Sequence, residues 1–156
     1  MTMNRRLFSR SGLLALVAGS SLAAVATGAA KEKPHRLVMH IGDGDDGKMN
    51  EALSNIVNAA EYYAGIGKTI AIELVANGFG YAMLRDSSPV KARIAEIHRH
   101  FPFVVFSACQ NSRKAMAKAE SKSIEQIVEI PEATDVPAGI VRLSELQEQG
   151  WSYVRV

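Results

Sequence analysis

From Arg36 onward, short apolar runs alternate with longer stretches in which apolar residues recur every three or four positions. Leu37–Ile41 is an apolar run closed by the turn-rich Gly42-Asp43-Gly44-Asp45-Asp46-Gly47, which predicts a first strand. Leu53, Ile56, Val57, Ala60 and Tyr63 then share one face of a helix, with Asn50 as its expected N-cap and Gly65 or Gly67 as its stop. Thr69–Ala76 reads as a buried second strand, halted by Asn77-Gly78-Phe79-Gly80. Ser88-Pro89 predicts a helix start with proline at the first helical position and Val90, Ile94, Ile97 and Phe101 as its buried stripe.

Phe103–Ala108 is the third predicted strand, and a short helix follows from about Asn111. Ser123-Ile124-Glu125-Gln126 has the form of a capping box. A fourth strand is expected between Glu132 and Val136. Next comes a helix from Ile140 to Gln149 that buries Ile140, Leu143 and Leu146, and a last strand over Trp151–Val156. Strands alternating with helices of ten residues or so predict a three-layer α/β/α domain with a five-stranded, mainly parallel sheet. In such sheets ligands gather beyond the carboxyl ends of the strands. Loops 42–48, 77–80, 109–112 and 137–139 belong there.

The first thirty residues carry a different signal. Asn4-Arg5-Arg6-Leu7-Phe8 is a twin-arginine pattern, and Ser11–Ala30 is uncharged and rich in Ala, Gly and Leu. Small residues at Gly28 and Ala30 offer a cleavage point before Lys31, and Ala24 and Ala26 offer an earlier one. The expectation is a cleaved twin-arginine signal over residues 1–30, export to the periplasm, and one domain over 31–156. A retained membrane anchor is the alternative, because twenty uncharged residues can just span a bilayer.

Removing residues 1–30 takes Arg5, Arg6 and Arg10 with it. The formal charge then falls from +2 to −1, with 15 basic residues against 16 acidic ones. No basic excess remains for nucleic acid, and no nucleic-acid-binding motif is present.

Cys109 is the only cysteine, so an intrachain disulfide is impossible. It stands between a buried strand and a helix start, among unpaired backbone N–H groups that favour thiolate over thiol. A free thiol is only about 3% thiolate at pH 7, so a depressed pKa decides whether it reacts. A packing role for the same small side chain is the alternative. Asn111, Ser112 and backbone N–H groups are the expected thiolate partners. His40, at the end of the first strand, is the one histidine placed to approach Cys109; His98 and His100, two apart at a helix end, make a poor chelating pair.

The acidic loop at Asp43 fails as a calcium loop, since its acids do not alternate and Ser54 occupies the place of the bidentate glutamate. Asn77-Gly78-Phe79-Gly80 is an incomplete dinucleotide fingerprint after the wrong strand. Gly78 and Gly80 read better as a tight turn that lets backbone pass close to a neighbouring loop or subunit. No serine sits in a nucleophile elbow.

In order and spacing, these segments resemble the DsrE/DsrF-like family of sulfur-relay proteins, especially exported single-domain members. The resemblance runs from Arg36 to Val156. It rests on Lys48–Asn55, Ile72–Gly80, Phe106-Ser107-Ala108-Cys109-Gln110-Asn111-Ser112, Val136–Val141 and Leu146–Trp151. It implies a parallel five-stranded sheet, assembly into homo-oligomers (trimers or hexamers), and a cysteine after the third strand that receives and passes on persulfide sulfur. Cys109 matches that position. The family often has glycine after the cysteine, where this chain has Gln110.

The expected function is therefore periplasmic sulfur handling on Cys109, with no metal or organic cofactor and with an unidentified protein or small thiol as donor or acceptor. A non-enzymatic ligand-binding or assembly module of the same fold is the alternative.

Overall fold

The structure, a computed structural model, describes residues 34–156. The signal expected over residues 1–30 lies outside the described residues. The chain runs β1 (His35–Ile41), α1 (Asp46–Gly65), β2 (Ile70–Ala76), a 3-10 helix (Gly78–Leu84), and α2 (Lys91–His100). It continues with β3 (Val104–Cys109), α3 (Gln110–Ala119), a 3-10 turn (Ile124–Gln126), β4 (Ala133–Val136), α4 (Gly139–Glu148) and β5 (Ser152–Arg155).

The five strands form one sheet in the order β4-β3-β2-β1-β5, and every pairing is parallel. The chain steps outward from β1 to β4, then returns across the sheet to place β5 beside β1. Parallel crossovers keep one hand, so the return helix α4 lies on the opposite face from the helices of the outward steps. The buried side chains divide accordingly. Met39, Ile41, Ile72, Leu74 and Phe106 pack with α1, α2 and α3, whereas Val38 and Val75 pack with Leu143 and Leu146 of α4. The fold is the expected three-layer α/β/α domain, with three helices on one face and one on the other.

A single ten-residue helix does not cover five strands. On the α4 face Val105 is 37% exposed, Tyr153 is exposed too, and Thr134 is open to solvent. Val105 and Thr134, with Val136, Pro137 and Val141, line a groove of about 330 Å³ beside α4.

Local details depart from the sequence reading in three places. Asp45, not Asn50, caps α1: its carboxylate accepts from the Lys48 backbone N–H at 2.9 Å, while Asn50 lies inside the helix and donates to the Asp46 carbonyl. Asp43 accepts from the Asp45 N–H, so the acidic loop serves to start a helix. Pro89 lies in a turn before α2, which begins at Lys91. Ile140 is 69% exposed, because the face of α4 that meets the sheet is set by Leu143 and Leu146. The Ser123 capping-box contact forms, with the Gln126 side chain accepting from the Ser123 N–H at 2.8 Å, on a 3-10 turn.

Candidate functional site

Cys109 is the last residue of β3 and the N-cap of α3. Its register partner is Val136, whose side chain lines the groove beside α4, so the sulfur lies on the α4 face of the sheet. Four donors favour its thiolate form, one of them in close contact. The Gly139 N–H, at the first turn of α4, donates to Sγ at 3.2 Å. The Ser112 hydroxyl and the backbone N–H groups of Ser112 and Asn111, in the first turn of α3, supply the other three. Two helix N-termini therefore point at one sulfur. Burial by itself raises the thiol pKa, but the Ser112 hydroxyl and the three N–H groups outweigh it and hold the thiol below its ordinary value.

Ser112 is tied down in turn. Its hydroxyl oxygen accepts from the Gly78 N–H at 2.8 Å, which leaves its own hydrogen for the sulfur. Gly78 adopts a left-handed conformation, with φ of 52°. Gly80 passes so near the Ile41 carbonyl that a Cβ there would collide with backbone, which is the close approach the glycine pair suggested. Asn111 presents an exposed side chain and reaches the sulfur only through its backbone N–H.

His40 does not serve the thiol. Its Nε2 lies 2.9 Å from Asn77 Oδ1, and its Nδ1 lies 2.9 Å from the Tyr153 hydroxyl. The amide oxygen only accepts, so Nε2 carries the hydrogen, and in a neutral ring Nδ1 accepts from Tyr153. Both ring nitrogens are thus engaged away from Cys109. Asn77 instead packs against α4, where a Cβ added to Gly139 would stand 2.9 Å from the Asn77 Cβ and 3.3 Å from the Cys109 Cβ. His40 and Asn77 shape the wall of the site, and among the described residues no histidine or carboxylate is hydrogen-bonded to the sulfur.

Access is narrow, since Cys109 is only 4% exposed. A cleft of about 410 Å³ shares Gly78 and Ser112 with the thiol cradle and is otherwise walled mainly by Phe79, Ala115 and Met116. Among the described residues no group of three or more His, Cys, Asp or Glu side chains is arranged to hold a metal, and no helix is long and apolar enough to cross a membrane.

Two features of the site escape a reading by residue type. Gly139 is thirty residues from Cys109 in sequence, and its contribution is a backbone N–H. Glu73, in the middle of β2, accepts from Ser107 Oγ at 2.6 Å and from Arg142 Nε and Nη2, both at 2.7 Å. A lone glutamate inside the apolar run Ile70–Ala76 was the available signal for this pair.

A protein of unknown function from Methanobacterium thermoautotrophicum, MTH1491, is among the solved structures similar to this chain. The TM-score is 0.65 at 24% identity, over 78% of this chain and 99% of that one. The likeness shows the fold. No family model matches the chain, and no curated protein matches it.

Proposed function

We propose that this chain is a sulfur-handling protein in which Cys109 carries sulfur as a persulfide, and that it is an exported member of the DsrE/DsrF-like family acting in the periplasm. The observation that carries the reading is the Gly139 N–H donating to Sγ at 3.2 Å where α3 and α4 both begin; with the Ser112 hydroxyl and the Ser112 and Asn111 N–H groups it holds the thiol below its ordinary value despite burial. A cysteine that only fills space has no need of such a cradle. The order and spacing of the segments from Arg36 to Val156 support the family.

In this mechanism the Cys109 thiolate attacks the outer sulfur of a hydropersulfide donor. The new S–S bond forms as the donor's own S–S bond breaks, and the donor leaves as a thiolate that keeps the bonding electron pair. Cys109 then bears one extra sulfur. An acceptor thiolate attacks that outer sulfur and restores Cys109, so the cycle needs no external oxidant or reductant. With Cys109 only 4% exposed, the donors are small species such as inorganic polysulfide or a low-molecular-weight hydropersulfide.

Intact mass spectrometry after treatment with polysulfide tests this reading. Wild-type protein gains the mass of one sulfur, reversed by a thiol reductant, and Cys109→Ser gains none. Equal gain by both proteins, or gain by neither, refutes it.

One observation favours a second reading. The near-complete burial of Cys109, beside a partly uncovered sheet face with exposed Val105, Ile140 and Val141, suits an assembly module whose subunits meet on that face. A homo-oligomer is proposed in either case. A monomer by light scattering, together with an unreactive thiol, removes both readings.

A further inference from the structure

We propose that the pair formed by the buried Glu73 carboxylate and the half-buried Arg142 guanidinium is a positioning device that seats the first turn of α4, so that the Gly139 N–H points at the Cys109 sulfur. The inference rests on Cys109 working as a thiolate, and is independent of what that thiolate carries.

Glu73 is 2% exposed in the second strand of the sheet, an expensive place for a carboxylate. Every partner it has belongs to an element of the thiol site. Ser107 lies two residues before Cys109 on the same face of β3 and donates at 2.6 Å. Arg142 lies one helical turn after Gly139 and meets Glu73 through two parallel N–H donors, each at 2.7 Å. Two residues beyond Glu73, Val75 forms the floor against which Gly139 packs, where an added Cβ would stand 3.3 Å from Val75 Cγ1.

A bidentate fork fixes both the distance and the rotation of the residue that carries it. Apolar packing of Leu143 and Leu146 alone permits small sliding of a helix on a sheet; the fork does not. A slide or rotation of the first turn of α4 lengthens and bends the 3.2 Å contact to sulfur and so weakens it. The other charge acting on Arg142 is Glu145 of α4, which favours the guanidinium without constraining its direction. Ser107 is the remaining polar partner of Glu73 and does not touch α4 through the pair itself.

The test is the thiol pKa, read from the pH dependence of Cys109 alkylation in folded protein, for three variants. Arg142→Lys keeps the charge and loses the fork. Glu73→Leu with Arg142→Met replaces the pair by apolar side chains that can pack in its place. Ser107→Ala leaves the pair intact.

The first two are expected to raise the thiol pKa by about one unit, the worth of one weakened donor, while circular dichroism stays that of the wild type. Ser107→Ala is expected to titrate close to the wild type. Folded Arg142→Lys and double variants with the wild-type thiol pKa overturn the proposal. Failure of both to fold overturns it as well, because the pair would then be a requirement of the fold. Sulfur uptake by wild-type protein is a separate readout. Its absence would refute persulfide carriage and leave the positioning result standing.

Discussion

Gly139→Ala perturbs the thiol cradle by a single methyl group. The new Cβ would stand 2.9 Å from the Asn77 Cβ, with Val75 Cγ1 and the Cys109 Cβ both at 3.3 Å. Comfortable carbon–carbon separations are about 3.5–4.0 Å, so the start of α4 must withdraw by roughly half an ångström. The N–H to sulfur distance then lengthens from 3.2 Å, which weakens the bond.

A hydrogen bond to a charged group contributes about 1.5–3 kcal/mol, and one pKa unit corresponds to about 1.4 kcal/mol. Weakening this donor therefore raises the Cys109 pKa, by up to about one unit. The stability change is smaller than the clash suggests. Overpacking costs about 1–3 kcal/mol, and replacing glycine by alanine in a helix returns up to about 1 kcal/mol. The assay pairs thiolate absorbance against pH with urea unfolding of the same protein. A folded variant whose thiol titrates with the wild type would show that Gly139 does not hold the thiolate.

Three further outcomes follow, one at the thiol and two at carboxylates elsewhere in the domain. Ser112→Ala removes one donor from the sulfur and the acceptor of the Gly78 N–H, so it raises the thiol pKa and costs about 1–3 kcal/mol in urea unfolding; Asn111→Ala, which keeps its backbone N–H, leaves the thiol pKa in place. The Arg85 guanidinium, with Lys122, holds the Glu120 carboxyl down to about 2. Its folded value lies below its unfolded value, so the stabilisation is present above the ordinary carboxylate range and is lost as pH falls toward 2. The difference in urea midpoint between wild type and Glu120→Gln should shrink over that window, and a difference independent of pH would refute the pairing. Burial, with Asp135 nearby, raises the Glu129 carboxyl against the opposing hydrogen bonds from Tyr81 and Gln110. The folded state then holds that proton more tightly, and stability is lost as pH rises through the ordinary carboxylate value toward the raised one. Asp135→Asn should lower the Glu129 pKa in a carboxyl NMR titration and lessen that loss.

The strands were legible because each is an apolar run ended by turn residues, and β1, β2 and β3 begin and end within one or two residues of the sequence reading. The helix faces were legible from spacing, except at Ile140. There the rotation of α4 is fixed by tertiary contacts, with Leu143 and Leu146 on the sheet and Arg142 on Glu73. Asn50 was a reasonable cap by type, but Asp45, four residues after the strand ends, reaches the free N–H groups first.

At the site, Cys109, Ser112 and the glycine turn at Gly78 were legible by residue type and by their place at the sheet edge. Gly139 was not, because its role depends on how closely two backbones approach. His40 was placed at the correct edge, but its ring is taken by Asn77 and Tyr153, a pairing decided by strand order. The Glu73–Arg142 pair joins residues sixty-nine apart in sequence, and only the return of α4 across the sheet brings them together.

The most direct test of a thiolate cradle at Cys109 is the pH profile of its alkylation by a small reagent in the folded, purified protein. A midpoint clearly below the ordinary thiol value of about 8.5, with labelling that does not require denaturant, is the expected result. A midpoint at or above that value, or labelling that appears only as the protein unfolds, would make Cys109 a packing residue and contradict the sulfur-handling reading.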